Sequence, residues 1–518
     1  MEKNVIVVGA GLAGMVAAYM AQKEGAKVLI IDRGSIGLGT NSAMANGVIA
    51  GPTGSYSRKE YIADTIDIGR RTNRRFMVEI AADEAESAIS FLRFIGLNVV
   101  EGTDTYSVKS PDPEIIPGVA IVKKIAGAFH GLDRLSTLTG FYVTDIVRTE
   151  GSACGIRGLD TTGKEKTFAA DAMVLATGGA GAIYLKNDNQ KTIMGQGYWL
   201  AAKAGLALWD MEFIQYYPLV FSDPHLPSSI VFPPYNNAAE LTNNRGEKIL
   251  EKYQLGNINE AVLKKRDKFS AILFTELQSG PVWMDFRKVP SHLWKKHPLS
   301  LLTKMKYDFS SKPVSVSPAA HFFMGGVRID EKGETELPGL FACGEVVSGL
   351  HGANRRGGNA LLECIVYGTI AGRNAARYAL KNDSKPFREK GTLQNDKIGG
   401  EGDLRAIRKE IREIAWNYAG VVRNESGIKE GLKRIEKVET ALKEIALKSK
   451  KDIRLKLDLK SAAFITRTIL TASLGRHESR GGFIRSDFPE EDVKWRKNSC
   501  LKYDVDNNTF SLAFADVE

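Results

Sequence analysis

The run Gly9-Ala10-Gly11-Leu12-Ala13-Gly14 constrains the fold of this chain more than any other stretch. It follows an apolar strand pattern at residues 4–8 and opens a helical pattern over 14–24. A second strand pattern over 27–32 then ends in Asp32. Glycines at this spacing serve a tight turn, close approach of backbone to a pyrophosphate, and packing of helix on strand. The helix N-terminus adds N–H groups and partial positive charge for the phosphates. Asp32, 18 residues past Gly14, is placed to accept hydrogen bonds from an adenosine ribose. The spacing therefore predicts a βαβ unit that holds a dinucleotide.

Two more apolar runs end in glycine turns. Ala172-Met173-Val174-Leu175-Ala176 leads into Thr177-Gly178-Gly179, and Gly339-Leu340-Phe341-Ala342-Cys343 leads into Gly344-Glu345. Three such strands fit one open α/β sheet assembled from distant segments. Between them the character changes. Prolines cluster at 224, 227, 233 and 234, a helical stretch passes through Lys265-Arg266-Asp267, and a short strand follows at Val282-Trp283-Met284-Asp285. Residues 222–317 thus read as an inserted cap. A polar linker near 383–402 precedes a helical region from about 403 to 475.

With 518 residues, 43% of them hydrophobic, the chain can bury a large core divided among two or three domains. No apolar run approaches the roughly 20 residues of a membrane span. The strand pattern starting within four residues of Met1 argues against a leader peptide. Four scattered cysteines without a CxxC pair fit neither a cluster, nor a zinc site, nor a disulfide framework, and point to a reducing cytoplasm. The net charge of +10 concentrates in the C-terminal third, as in Lys448-Ser449-Lys450-Lys451 and Arg454-Leu455-Lys456. Such runs read first as solvated helix faces, with docking of an acidic partner or steering of anionic substrates as the alternative. No nucleic-acid motif accompanies them.

A third set of motifs adds chemistry. His321-Phe322-Phe323-Met324-Gly325-Gly326-Val327 is followed by Gly344-Glu345 and by His351-Gly352-Ala353-Asn354-Arg355-Arg356-Gly357-Gly358-Asn359-Ala360-Leu361. These put a titratable histidine and fixed cations beside glycines that let backbone approach a ligand. Together with the N-terminal glycines, they make the chain resemble the flavoprotein subunits of fumarate reductase and succinate dehydrogenase, a family that includes L-aspartate oxidase. The resemblance implies an α/β fold: a Rossmann-like FAD-binding domain in two parts (1–221 and 318–380), an inserted α+β capping domain (222–317), and a C-terminal helical domain with a tail (400–518).

The same resemblance implies FAD as the dinucleotide and names its contacts. These are Gly9, Gly11, Ala13 and Gly14, then Asp32 and Arg33, then Thr40, Asn41, Ser42, Asn46 and Gly47 in a second turn, and Ala176, Thr177 and Gly178 in a third. The Gly344-Glu345 turn falls where an acid, here Glu345, contacts the ribityl chain. Asn359, Ala360 and Leu361 open a helix, expected to reach about Ala376, whose N-terminus would face the pyrimidine edge of the isoalloxazine. A helix N-terminus there stabilises negative charge on reduced flavin. Asn41 sits where respiratory members carry the histidine bonded to flavin. Asparagine cannot form that bond, so the FAD is expected to be non-covalent.

Reducing an activated C=C bond needs hydride, a proton for the adjacent carbon, and cations for a carboxylate. By resemblance, Arg266 falls at the proton donor, Arg355 at a carboxylate clamp, and His321 at a contact to the other carboxylate. The residues alone leave alternatives open. Arg266 could be an exposed helix arginine, Arg356 could point inward instead of Arg355, and His321 could be structural. His351 reads as scaffolding. Tyr217 replaces a substrate-contacting histidine, and Val231-Phe232-Pro233-Pro234-Tyr235 lacks the family's Thr-Glu pair. The pocket is therefore expected to suit a C4-dicarboxylate or a related enoate with a larger, less polar end.

The segment Ala472–Gly482, with Arg485-Ser486-Asp487-Phe488-Pro489 and Trp495, resembles the family tail that packs the helical domain on the FAD domain. The implied enzyme is an FAD-dependent oxidoreductase acting on CH–CH bonds. Its rivals are an L-aspartate oxidase and a non-catalytic electron relay. A small carboxylate is the expected substrate and a separate iron–sulfur subunit the expected partner, with no nucleic acid, no direct membrane insertion, and membrane proximity only through partner subunits.

Overall fold

The computed structural model describes residues 3–112, 115–228, 230–231, 235–383 and 399–518. Its centre is a five-stranded parallel sheet. The strands run in the order Leu340–Ala342, Ala172–Leu175, Asn4–Val8, Lys27–Ile31, Leu135–Leu138. The three glycine-ended strands expected from sequence lie side by side within it. Their continuous apolar character follows from being covered on both faces, as parallel strands usually are.

The helix Leu12–Lys23 packs along the long helix Asn359–Lys381, which runs five residues past its expected end. Two glycines permit that approach. A Cβ on Gly368 would stand 2.7 Å from the Ala13 carbonyl oxygen, and one on Gly372 would stand 2.2 Å from that of Ala17. The helix carrying the Gly-rich turn is thereby fixed against the helix whose N-terminus begins at Asn359.

Residues 214–323 contain a second sheet, antiparallel, in the order Ile214–Phe221, Val314–Phe323, Val282–Asp285, Glu240–Thr242. Val282–Asp285 was legible as a strand from the residues alone, and the stretch ending Tyr217-Pro218 only through its resemblance to a family strand. The longest strand of the sheet, Val314–Phe323, runs across position 317, whereas Ile214–Phe221 ends at 221. An apolar cluster including Val231, Leu241, Phe269, Met284 and Val316 lies apart from the main core. Neighbours on one strand serve different cores: Tyr216 belongs to the main one and Tyr217 to this second one. Side chains alternating along a strand produce that division.

Three helices, Leu404–Tyr418, Glu425–Glu444 and Ile453–Gly475, form the C-terminal layer. A hairpin, Lys497–Asp504 with Thr509–Asp516, then pairs with Leu208–Trp209. The solvated-face reading of the basic stretch fails at two positions. Lys456 is buried, and Arg454 donates to the carbonyls of Gly140 and Leu159. Lys448 and Lys451 are exposed, as expected. Most of the linker expected near 383–402 lies outside the described residues. Among the described residues no helix is long and apolar enough to cross a membrane, and no group of His, Cys, Asp or Glu is arranged to hold a metal ion.

Candidate functional site

The glycines of the N-terminal turn have separate tasks. A Cβ on Gly9, which has φ +105°, would lie 2.3 Å from the Ala176 carbonyl oxygen, and one on Gly14 would lie 1.9 Å from the Gly9 carbonyl. Both positions are closed by packing. A Cβ on Gly11 would meet nothing closer than Ser42 Oγ at 3.5 Å, so no protein contact demands glycine there. Gly178 is similarly open, with its nearest neighbour 4.0 Å away. Openness at Gly11 and Gly178, on turns at the ends of adjacent strands, fits a ligand passing over backbone.

The surrounding polar groups hold the turns. Asp32 accepts from the Ala10 and Gly34 amides at 2.8 and 2.7 Å, so each carboxylate oxygen already carries one bond. Ser42 Oγ accepts from Leu12 N at 3.1 Å, Thr40 donates to the Gly37 carbonyl, and Asn46 accepts from Val48 N. Gly47, with φ +78°, leaves no room for a Cβ beside Pro117. Ala13 lines the turn at Gly344, where a Cβ would approach it to 2.8 Å. Arg33 also holds two elements together. Its guanidinium forms two 2.6 Å bonds to Asp458 and lies over the Tyr142 ring, so it ties the nucleotide end to the C-terminal helices.

Two buried polar atoms here have no partner among the described residues: Thr177 Oγ1 and Asn359 Nδ2. Asn359 opens its helix after Gly358, and its Oδ1 accepts from Tyr61 at 3.0 Å. Ala360 and Leu361 follow in the first turn, Ala360 against a small cluster containing Phe322 and Met324. Glu345 accepts from Phe323 N at 3.0 Å, and burial pushes its carboxyl up to about 7. Such a group changes charge near neutral pH, beside Gly179.

The other end of the site lies where the two cores meet. His321 turns Nδ1 to Asp188 at 2.7 Å, and its ring stands 5.7 Å from that of Tyr217. Arg266, the first residue of the helix Arg266–Glu276, lies 5.8 Å from the same Tyr217 ring. Arg355 stacks on Phe322 at 4.5 Å, with its backbone carbonyl held by Gln215 at 2.8 Å. Asn354 joins Gln215 to Asp267, the residue after Arg266. Arg266, Arg355, His321 and Tyr217 are thus brought together as expected.

The question of Arg355 or Arg356 is answered by partners. Arg356 pairs with Asp104 at 2.8 Å, donates to Tyr56, and lies over the Tyr56 and Tyr61 rings. Neither Arg266 nor Arg355 makes a guanidinium hydrogen bond or ion pair among the described residues, and the Nε of each is buried and unsatisfied. Burial, then the neighbouring Arg266 charge, pushes Arg355 down to about 10. Two unpaired cations held near each other form a site that needs an anion. His351 packs against Phe322, their rings 5.1 Å apart, and bonds at 3.0 Å to buried Glu363.

Sequence reasoning missed Asp188 and gave Tyr235, Gln215 and Phe322 no individual role within the segments that contain them. Phe322 follows from strand adjacency to His321. Asp188, in the polar run Asn187-Asp188-Asn189-Gln190, carries no local signal for its contact with a residue 133 positions away. Phe232, Pro233 and Pro234 lie outside the described residues.

Comparison with known proteins agrees with this geometry. The FAD binding domain family matches residues 4–361, and the fumarate reductase flavoprotein C-terminal family matches 408–518. The chain belongs to the fumarate reductase and succinate dehydrogenase flavoprotein family. It is 28% identical to a subunit of the CoM/CoB fumarate reductase of Methanothermobacter marburgensis, over 96% of this chain and 97% of that one. It is 30% identical to the L-aspartate oxidase of Pyrococcus abyssi, over 98% and 100% of the two chains. The fold matches the FrdA chain of E. coli quinol fumarate reductase with a TM-score of 0.87 at 24% identity, covering 100% of this chain and 97% of FrdA. As a member of this flavoprotein family the chain is an FAD-dependent oxidoreductase. The open Gly11 and Gly178 turns, the unpartnered Thr177 hydroxyl and the helix start at Asn359 are the features that fit FAD.

Proposed function

We propose that this flavoprotein exchanges hydride with a carboxylate-activated C=C bond, at a pocket formed by Arg266, His321, Arg355 and Tyr217. The observation that carries the reading is the pair of unpaired guanidinium groups, Arg266 and Arg355, each with a buried, unsatisfied Nε and close enough for the Arg266 charge to act on Arg355. Bound FAD supplies hydride at its isoalloxazine ring. Arg355, braced by Phe322 and Gln215, clamps and polarises the substrate carboxylate, bidentately by preference. Arg266 gives the proton to the carbon beside the one that receives hydride. His321, oriented by Asp188, steadies the bound acid, and the buried wall behind Tyr217 excludes water. Substitution Arg266→Ala tests this. FAD should be retained while turnover of the reduced protein with enoates drops about a thousandfold. Unchanged electron transfer would favour a relay role.

The flavin is non-covalent on this reading. Asn41 holds the loop beyond it, donating to Asn189 at 2.6 Å and accepting from Gln190 N at 2.9 Å. Acid precipitation should release all yellow colour to the supernatant. Single-electron delivery through an iron–sulfur cluster would use a separate subunit, a reading supported by the absence of a metal-holding group among the described residues. The 30% identity to an L-aspartate oxidase supports a second reading, oxidation of an amino acid Cα–N bond. Iminoaspartate formed from L-aspartate in air would establish it.

A further inference from the structure

Among the described residues, the hydroxyl and backbone donors of Tyr217, Tyr235 and Val231 are already engaged. The unpaired Arg266 guanidinium, 5.8 Å from the Tyr217 ring, is the group that the proposed chemistry uses for proton transfer. The Tyr235 hydroxyl donates to the Val231 carbonyl, which can only accept. A phenol has one hydrogen, so in the 3.2 Å contact between the Tyr217 and Tyr235 hydroxyls Tyr217 is the donor. Burial pushes both phenols up, so both keep their hydrogens. The backbone is committed as well. Val231 N donates to the Leu219 carbonyl at 2.9 Å, and Tyr235 N donates to Asn259 Oδ1 at 2.8 Å. Behind these groups lie Val231 and Leu219, both with no exposed surface, within the second apolar core.

From this assignment of donors we infer that the pocket accepts monocarboxylate enoates, with the single carboxylate at Arg355 and an alkyl or aryl end against Tyr217 and Tyr235. The inference rests on the proposed enoate chemistry and adds its specificity. A second carboxylate at the tyrosine end would meet the lone pairs of two phenols and a carbonyl, with no donor from Tyr217, Tyr235 or Val231 to replace its lost water. The cation within its reach would be Arg266, and pairing there would withdraw that guanidinium from proton transfer while leaving the rest of the lost hydration unreplaced. Tyr217 and Tyr235 are then the residues that set specificity, one facing the substrate and the other fixing the direction of its hydroxyl.

The test uses the whole FAD-loaded protein, reduced by light without oxygen and mixed with crotonate, cinnamate or fumarate while flavin absorbance is followed. Crotonate and cinnamate should reoxidise it with apparent second-order rate constants at least about a hundredfold above that of fumarate. Substitution Tyr235→Phe removes the acceptor, frees the Tyr217 hydrogen, and should raise the fumarate rate constant about tenfold, whereas Tyr217→Phe should not. Fumarate performing as well as crotonate in the unaltered protein would overturn the inference, leave the enoate chemistry intact, and assign Arg266 to the second carboxylate. Reoxidation by none of the three acids would overturn the enoate chemistry, and the inference with it.

Discussion

Nδ1 of His321 and Oδ2 of Asp188 stand 2.7 Å apart, joining a strand residue to a loop 133 positions earlier. The next residue of that loop, Asn189, bonds to Asn41 and to the Ala320 carbonyl. One polar loop therefore spans from the turn beside the Gly-rich motif to the pocket. Replacing Asp188 by Ala should leave FAD content unchanged and lower kcat/KM. Losing a hydrogen bond to a charged partner costs about 1.5–3 kcal/mol, or roughly ten- to hundredfold. Stopped-flow reoxidation with a fixed enoate measures it, and an unchanged kcat/KM would remove Asp188 from the site.

The open and closed glycines give a second prediction. Substitution Gly11→Ala should fold with nearly unchanged thermal stability and lose FAD affinity at least tenfold, because its methyl group projects into space no protein atom fills. By contrast, Gly14→Ala drives a methyl into the Gly9 carbonyl and should destabilise the apoprotein by about 1–3 kcal/mol. Flavin titration and apoprotein melting separate the two. Equal loss of stability in both variants would mean that Gly11 is a packing glycine.

The contrast between the two glycines also shows what the sequence could reveal. The three glycine-ended strands were legible because a buried parallel strand is continuously apolar and its turn chemistry is local. The sheet that carries Tyr217 and His321 was largely hidden. Ile214–Phe221 is buried along its whole length, so it has no alternating pattern to read, and its partner strand Val314–Phe323 is 100 residues away in sequence. Arg355 and Arg356 are equivalent as letters. Only the distant Asp104 and Tyr56, which claim Arg356, distinguish them. The tie from Arg33 to Asp458 was hidden for the same reason, because its partner lies 425 positions further along.

The depressed Arg355 guanidinium should be visible in the pH profile of turnover. Its cationic form persists below about 10 and is lost above it. An ionised carboxylate needs that cation, so kcat/KM should fall as pH rises through about 10, whereas arginine ordinarily titrates beyond reach. Bound anion stabilises the cation, so the fall in kcat should come at higher pH than the fall in kcat/KM. Replacing Arg355 by Lys should lower kcat/KM about a hundredfold through loss of the bidentate fork, and shift the fall to lower pH. A profile flat to pH 11 would assign the clamp to another cation.

The C-terminal tail is tied to Glu212, just before the Ile214–Phe221 strand. Arg476 is fully buried. Its Nε bonds to Glu212 at 2.8 Å, and its terminal nitrogens bond to Glu478, Trp495 and Lys497 at 2.7–2.9 Å. Glu212 lies five residues before Tyr217 and also accepts from Ser499, so tail and pocket strand share one buried carboxylate. Arginine is suited to this place because a planar fork meets several acceptors without moving. Substitution Arg476→Leu would leave Glu212 buried without its cation, a loss of about 3–5 kcal/mol. Glu478 keeps its two 2.8 Å bonds from Arg480. The double variant Arg476→Leu with Glu212→Gln removes the stranded charge and should recover part of that loss in urea unfolding. Destabilisation without recovery would locate the cost in the bonds lost at Glu478, Trp495 and Lys497, and the strand leading to Tyr217 would then be held by packing, not by the tail.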